Sequence, residues 1–261
     1  FAACLCAGFP FVGFLLSDSN KYIRYVGGLI GFVIVIAVIL SQSRAGIMSI
    51  AFICFILLNM KFFHKRWVKY LSLLCFALLL SGCYWMKKDS ADGRLLIWRC
   101  SVSMVKDAPW LGHGIGSFEA RYMDYQADYF RQYGLNRYSM LADNVKHPFN
   151  EYLGVLLNFG FVGLLMILAL ITLLIYCYKK HPCAEKRIAF YSLISIGVFS
   201  FFSYTFTYPF TWIVTFLCII ILTKEYIAKV FTCPIIKNTV CIFILLCSFW
   251  GIYNLVKRVM A

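Results

Sequence analysis

Apolar residues in this chain come in blocks, each ended by a polar break. Residues 1–16 are apolar almost throughout, and Tyr25–Leu40 forms the next block. Ser41-Gln42-Ser43-Arg44 interrupts, Ala45–Met60 follows, then the basic stretch 61–69, then Tyr70–Met86. Residues 87–146 are polar, and apolar blocks resume at 149–178, Ile188–Phe206, Phe210–Thr223 and Thr239–Val256. About 20 apolar residues cross a hydrocarbon core of roughly 30 Å as a helix. The pattern therefore predicts an all-α fold, a polytopic transmembrane helical bundle with one long outer loop. Three parts are expected: residues 1–86 hold the first spans, 87–147 the loop, and 148–261 an interfacial helix with the last spans. The chain opens in mid-run at Phe1, which reads as the C-terminal part of a longer protein with its first span truncated.

The block 149–178 is too long for one simple span, since a helix rises about 1.5 Å per residue. Asn158 and Gly160 lie where it would break. Residues 161–178 alone suffice to cross, which leaves 148–158 as a short helix at the outer interface, held by Asn150 and Glu151. His147 precedes Pro148, and proline is favoured at the first position of a helix because its missing N–H would be unbonded there. His147 is thus expected at a helix N-terminus, where the helix dipole favours the neutral imidazole that a general base requires.

The outer loop has periodicity of its own. Leu95, Trp98, Val102 and Val105 recur at helical spacing within 94–107, and that helix should end ahead of Pro109. A glycine-rich turn, Trp110–Gly116, leads to a second helix over 117–133. Two such amphipathic helices are suited to lie on the membrane and roof a cavity. In Tyr25–Leu40, Gly27 and Gly31 would let another helix approach closely.

Composition fixes the solvent. The chain is 62% hydrophobic with a mean hydropathy of +0.80. A soluble domain cannot hide that much apolar surface, so membrane lipids surround it. The net charge of +14 would suit nucleic acid, but the short stretches 61–69, 179–187 and 224–237 carry a basic excess, whereas acidic and basic residues nearly balance in 87–146. That is the distribution of inner loops, so 41–44 and 87–146 fall outside and no nucleic-acid partner is expected. The twelve cysteines show neither metal-finger spacing nor a disulfide framework.

Arg44, in a tight break between spans, either snorkels to lipid phosphates or holds a ligand anion. Arg94 and Arg99 either face solvent or converge as a clamp, because guanidinium forks suit phosphate. Gly112 to Gly116 reads as a tight connection before a phosphate cradle, and His113 as a surface histidine. Asp89 and Asp92, flanked by Lys87, Lys88 and Arg94, read as a solvated charge cluster, and no metal site is expected. Tyr122, Tyr125, Tyr129 and Tyr133 form an aromatic belt or, alternatively, a stacking surface for sugars.

Ser41-Gln-Ser-Arg-Ala-Gly46, Gly93-Arg94 with Trp98, Asp107-Ala-Pro-Trp-Leu-Gly-His-Gly114, and His147-Pro-Phe-Asn-Glu-Tyr-Leu153 with Gly160 and Gly163 stand in the chain in that order. Together they resemble the O-antigen ligase and polymerase-like family over roughly residues 25–180. The resemblance implies a bacterial inner-membrane glycosyltransferase with its site facing the periplasm. Its donor would be a glycan on undecaprenyl diphosphate, and neither cofactor nor metal would be required. It places Arg44 and Arg94 on the donor diphosphate and His147 as base on the acceptor; Arg99, Asn150 and Glu151, which lie close to these in the sequence, are expected as further binding residues. Phe149 departs from the pattern, since many members carry histidine directly before the asparagine. The implied reaction is inverting transfer to a lipid A-core sugar. An O-antigen polymerase with a second glycan as acceptor, and a protein O-glycosyltransferase, are the near alternatives. A secondary transporter or lipid-binding membrane protein is the alternative from another class. The scarcity of ionisable residues within the spans argues against a transporter.

Overall fold

The computed structural model describes residues 1–61, 66–86 and 88–231, and all regular structure among them is helical. The order is α1 (Ala2–Leu15), α2 (Lys21–Leu40), α3 (Arg44–Lys61), α4 (Arg66–Met86), α5 (Lys88–Asp107), α6 (Ser117–Tyr133), α7 (Glu151–Lys180), α8 (Ala184–Phe201) and α9 (Pro209–Phe231). Three segments are long and apolar enough to cross a membrane, Lys21–Leu40, Glu151–Lys180 and Pro209–Ala228, while Ala2–Leu15 and Arg44–Leu57 are shorter apolar helices. The expected span Thr239–Val256 lies outside the described residues, as do 62–65 and 232–237 of the basic loops.

Helix α8 is the centre of the bundle, packed by α1, α3, α7 and α9. Its charged residues lie in the first turn, and its serines Ser192, Ser195 and Ser200 are buried against protein. Ser195 Oγ donates to the Cys6 carbonyl at 2.7 Å, and Ser49 Oγ donates to the Ser195 carbonyl at 2.8 Å. Polar links of this kind hold apolar helices together where lipid offers no competing partner. The small residues of α2 serve the close approach expected of them. A Cβ on Gly27 would lie 2.7 Å from Leu15 Cβ, and one on Gly31 2.7 Å from Val12 Cγ1, so α1 is the helix that approaches.

Helix α9 begins at Pro209, where a missing N–H costs nothing. It runs beyond the expected Thr223, so Lys224 and Glu225 are helical rather than in a loop. Reciprocal ion pairs account for the extension. Lys224 reaches Glu185 at 2.7 Å, and buried Lys186 is paired with Glu225. These fasten one end of the α8–α9 hairpin. The polar chemistry lies at the other end, under α5 and α6.

Helix α5 starts at Lys88, earlier than the periodicity predicts. Asp89 sits in its first turn, where a carboxylate suits the positive end of the dipole. Its end at Asp107, short of Pro109, is as expected. The buried stripe is rotated from the predicted one. Leu96, Ile97, Cys100, Met104 and Val105 face Phe118, Tyr122, Tyr138 and Leu157 in a small core, whereas Leu95 and Val102 are exposed. Both stripes have helical spacing, and apolarity alone does not choose between them. Tyr122 belongs to this core rather than to a lipid-facing belt, stacked at 4.8 Å on Phe118. Asp92 is also buried instead of solvated, accepting from the Tyr84 hydroxyl at 3.1 Å.

Candidate functional site

The break between α2 and α3 is built to present Arg44. Gln42 takes a left-handed turn (φ 50°), and Ser41 Oγ returns to the Val38 carbonyl at 2.7 Å. Ser43 then caps α3, its hydroxyl accepting from Gly46 N–H at 3.2 Å. Gly46 is needed because a Cβ there would meet Val38 Cγ1 at 2.8 Å. Arg44 thus occupies the first turn of α3, where orphan N–H groups and the helix dipole add to its positive charge. Its Nη2 donates to Ser90 Oγ on α5 at 2.6 Å.

Arg94 approaches from the other side. Its Nη1 donates to the Phe202 carbonyl at 2.7 Å, at the C-terminal end of α8, where a cation is favoured. Its guanidinium lies 5.1 Å over the Phe149 ring. Burial, and then the charge of Arg44, pull its pKa down to about 10, which leaves it cationic at neutral pH. Both arginines line a cavity of about 390 Å³ with Tyr84, Leu95, Trp98 and Phe202. Met48 and Phe202 also line a second cavity of about 650 Å³, walled by Phe52, Phe76, Leu174, Ile194 and other apolar side chains of α3, α4, α7 and α8. Two like charges thus line a cavity that adjoins an apolar groove through Met48 and Phe202.

The segment His147–Asn150 is held beside them. The Trp98 indole N–H donates to the Pro148 carbonyl at 2.9 Å. The His147 ring stacks on Tyr204 at 4.8 Å, and Phe149 meets the same tyrosine edge-on at 5.3 Å. Among the described residues neither ring nitrogen of His147 has a hydrogen-bond partner, and the side chain is half-buried. The expected helix start needs correction. Phe149 turns left-handed (φ 54°) and Asn150 is the cap, its side chain accepting from Leu153 N–H at 3.1 Å. Pro148 is therefore outside the helix, and the field of the helix end falls on Asn150 rather than on His147.

The remaining expected site residues have other partners. Asn150 is buried in its capping role, and Glu151 Oε1 accepts from Phe206 N–H at 2.6 Å, tying α7 to the short turn before α9. Arg99 turns away from Arg44 and Arg94 and lies over Tyr138. His113 is half-buried rather than on the surface. Its Nε2 donates to the Met104 carbonyl at 2.7 Å and its Nδ1 accepts from Arg121 at 2.9 Å. That assignment follows because a guanidinium can only donate.

The glycine-rich turn is a connection, and α7 explains it. Gly160 has φ 62° and ψ −159°, a conformation open essentially to glycine, so α7 breaks where its length requires. The turn repairs that break. Gly112 to Gly114 lie along it, with His113 N–H donating to Leu157 O at 2.8 Å and Gly114 N–H to Asn158 O at 3.1 Å. In return, Phe161 N–H donates to Pro109 O at 2.8 Å and Val162 N–H to Trp110 O at 3.2 Å.

Tyr204 escaped the sequence reading because it fell within the expected block Ile188–Phe206. The sequence marks only the turn at 208–209: 203–209 reads Ser-Tyr-Thr-Phe-Thr-Tyr-Pro, and the residue before a proline disfavours helix. Ser90 carried no signal. Among the described residues no group of three His, Cys, Asp or Glu is placed to hold a metal ion.

A bundle with three helices of membrane-spanning length, capped at one end over an arginine-lined cavity, defines an integral membrane protein with its chemistry gathered at that end. Residues 29–168 match the sequence model of the O-antigen ligase family, and the chain belongs to that family. No curated protein matches it. Membership implies glycosyltransferase-like activity on glycan and lipid-linked substrates.

Proposed function

We propose that the chain transfers a glycan from undecaprenyl diphosphate to a lipid A-core sugar on the periplasmic face of the bacterial inner membrane. The observation that carries this reading is the convergence of Arg44 and Arg94 on one cavity that shares Met48 and Phe202 with a neighbouring apolar groove. Two guanidiniums and a helix N-terminus suit a diphosphate. The apolar groove suits the polyprenyl tail attached to it. The acceptor hydroxyl gives its proton to His147 as its oxygen bonds to the anomeric carbon. The carbon–oxygen bond to the diphosphate breaks with inversion, and the leaving group takes the electron pair. Arg44 and Arg94 stabilise the charge that grows on it. In this scheme the protein contributes donors and a base, and no metal step is required.

The fork, rather than the charge alone, is the basis of the clamp. Arg44→Lys and Arg94→Lys are therefore expected to lose most transfer, because an ammonium cannot span two phosphate oxygens in the same plane. The readout is lipopolysaccharide banding in a deletion strain complemented with each variant. Wild-type activity from the lysine variants would overturn the clamp. The same assay separates the two nearest acceptors: a strain without a ligase has no attached O-antigen, and one without a polymerase keeps a single repeat.

Orientation is tested separately. With native cysteines replaced, a cysteine at Gln132 should react with an impermeant reagent added to the periplasm, and one at Lys180 should not. Labelling at position 180 alone would reverse the proposed face.

A further inference from the structure

On the outward side of α5, Arg99 and Arg137 converge on one ring. The Arg99 guanidinium lies 5.2 Å from the Tyr138 centroid and that of Arg137 4.7 Å, so the two charges are at most ~10 Å apart, about one Debye length at ordinary salt. Tyr138 is only 4% exposed, packed in the small core beneath α5, and its hydroxyl accepts from Arg137 at 2.7 Å. The charges are not balanced locally. Arg137 has a loose contact with Asp92 at 3.9 Å, a carboxylate already accepting from Tyr84. Arg99 donates to the Tyr129 hydroxyl at a long 3.5 Å, and among the described residues no carboxylate pairs with it. Arg99 is exposed, and 61% of the Arg137 side chain is accessible. Beside them Tyr129 and Tyr133 lie with ring centroids 4.9 Å apart, and Tyr133 is 61% exposed.

We propose that this face binds an anionic saccharide, a sugar bearing a carboxylate or phosphate. Most of the guanidinium donors remain available for the anion, and the exposed tyrosine offers a flat apolar face to the C–H side of a pyranose ring. The position fits a glycan that emerges from the transfer cavity. Leu95, one helical turn before Arg99, lines that cavity, and so does Tyr84, which bonds Asp92 beside Arg137. The proposal rests on the glycan-transfer reading for its biological meaning, but the binding it describes does not require turnover.

The test uses the full chain in phosphatidylcholine nanodiscs without donor, titrated with tetragalacturonate or with neutral maltotetraose. Tetragalacturonate should bind at least about tenfold more tightly, as charge-assisted hydrogen bonds imply, and its affinity should fall as salt rises. Arg99→Gln should weaken it about tenfold, with melting of the protein followed alongside. If that variant does not fold, Arg137→Gln carries the same comparison. Equal binding of the two tetramers, or acidic binding unaffected by both substitutions, would overturn the proposal. Phosphatidylglycerol nanodiscs separate the other source of anion. Tetragalacturonate should still bind there. If the lipid displaces it, and Arg99→Gln removes the effect of the lipid, the face is a headgroup site and the proposal is wrong. Loss of transfer by Arg44→Lys with saccharide binding intact would be consistent with both sites. Saccharide binding without any transfer activity would count against the proposed reaction alone.

Discussion

His147→Gln is expected to lower glycan transfer about a hundred- to ten-thousand-fold, the range that general-base help supplies. Glutamine keeps a side chain that can pack on Tyr204 and hydrogen-bond, but it cannot take a proton near neutral pH. The segment carrying it should stay in place, because the Trp98 indole still holds the Pro148 carbonyl and Asn150 still caps α7. Accumulation in the membrane and donor binding should therefore survive while transfer is lost. Other candidate bases nearby are already engaged: Glu151 by Phe206 N–H, and both nitrogens of His113 by Met104 and Arg121. Single-turnover transfer with purified protein and a lipid-linked donor is the measurement. A near wild-type rate would reduce His147 to a stacking partner of Tyr204.

Gly160→Ala should cost the fold more than a methyl group added at either Gly112 or Gly114. A Cβ at this position would lie 2.3 Å from the Trp110 carbonyl carbon and oxygen, and φ 62° with ψ −159° is itself strained for alanine. Backbone strain of about 1–3 kcal/mol adds to a packing cost of about 1–3 kcal/mol or more. Gly112→Ala meets the same junction from the other side, with its Cβ 2.6 Å from the Asn158 carbonyl carbon. Combining the two should cost less than their sum, since either one breaks the same contact. Gly114→Ala separates the two causes: its φ is +91° but nothing lies within 4 Å, so only the strain remains. Melting of detergent-solubilised variants tests the ranking. If Gly160→Ala melts with the wild type, or below it by no more than Gly114→Ala, the close approach is not what the residue serves.

Much of the architecture was legible because lipid imposes one rule on every span. Apolar blocks gave the bundle, and the excess length of 149–178 located the break at Gly160. The cap was harder. Its two helices could be read from periodicity, but the inward face of α5 could not, since Leu95/Trp98/Val102 and Leu96/Cys100/Met104 are equally regular. What decided it was the partner surface, Phe118 and Tyr122 of α6. Within the site, Arg44 and Arg94 from separate motifs line one cavity, and the segment carrying His147 touches Trp98 and Arg94 through Pro148 and Phe149. Proline made His147 look like a helix cap, whereas the left-handed Phe149 and the capping Asn150 moved the start three residues on. Arg99 does not join Arg94 in that cavity, because residues five apart on a helix point in different directions and a sequence records spacing but not which side is occupied. Tyr204 was hidden by apolar neighbours: Pro209 marks a turn at 208–209, but α8 already ends at Phe201, which nothing in the apolar run signals.

The hydrogen bonds from residues 109–114 to the broken turn of α7 make the roof formed by α5 and α6 a part of the long apolar helix it packs on. Peptide groups at 157–162 that an unbroken helix would satisfy internally are met instead by a loop nearly fifty residues earlier. The roof is therefore not an exchangeable module. A chimaera that swaps acceptor preference between relatives by transplanting the outer segment alone would leave the recipient helix with unmatched amides at the membrane edge. The heritable unit is the loop with its complementary kink, so insertions and recombination breakpoints should be tolerated at the exposed residues 142–144 but not between Pro109 and Gly116.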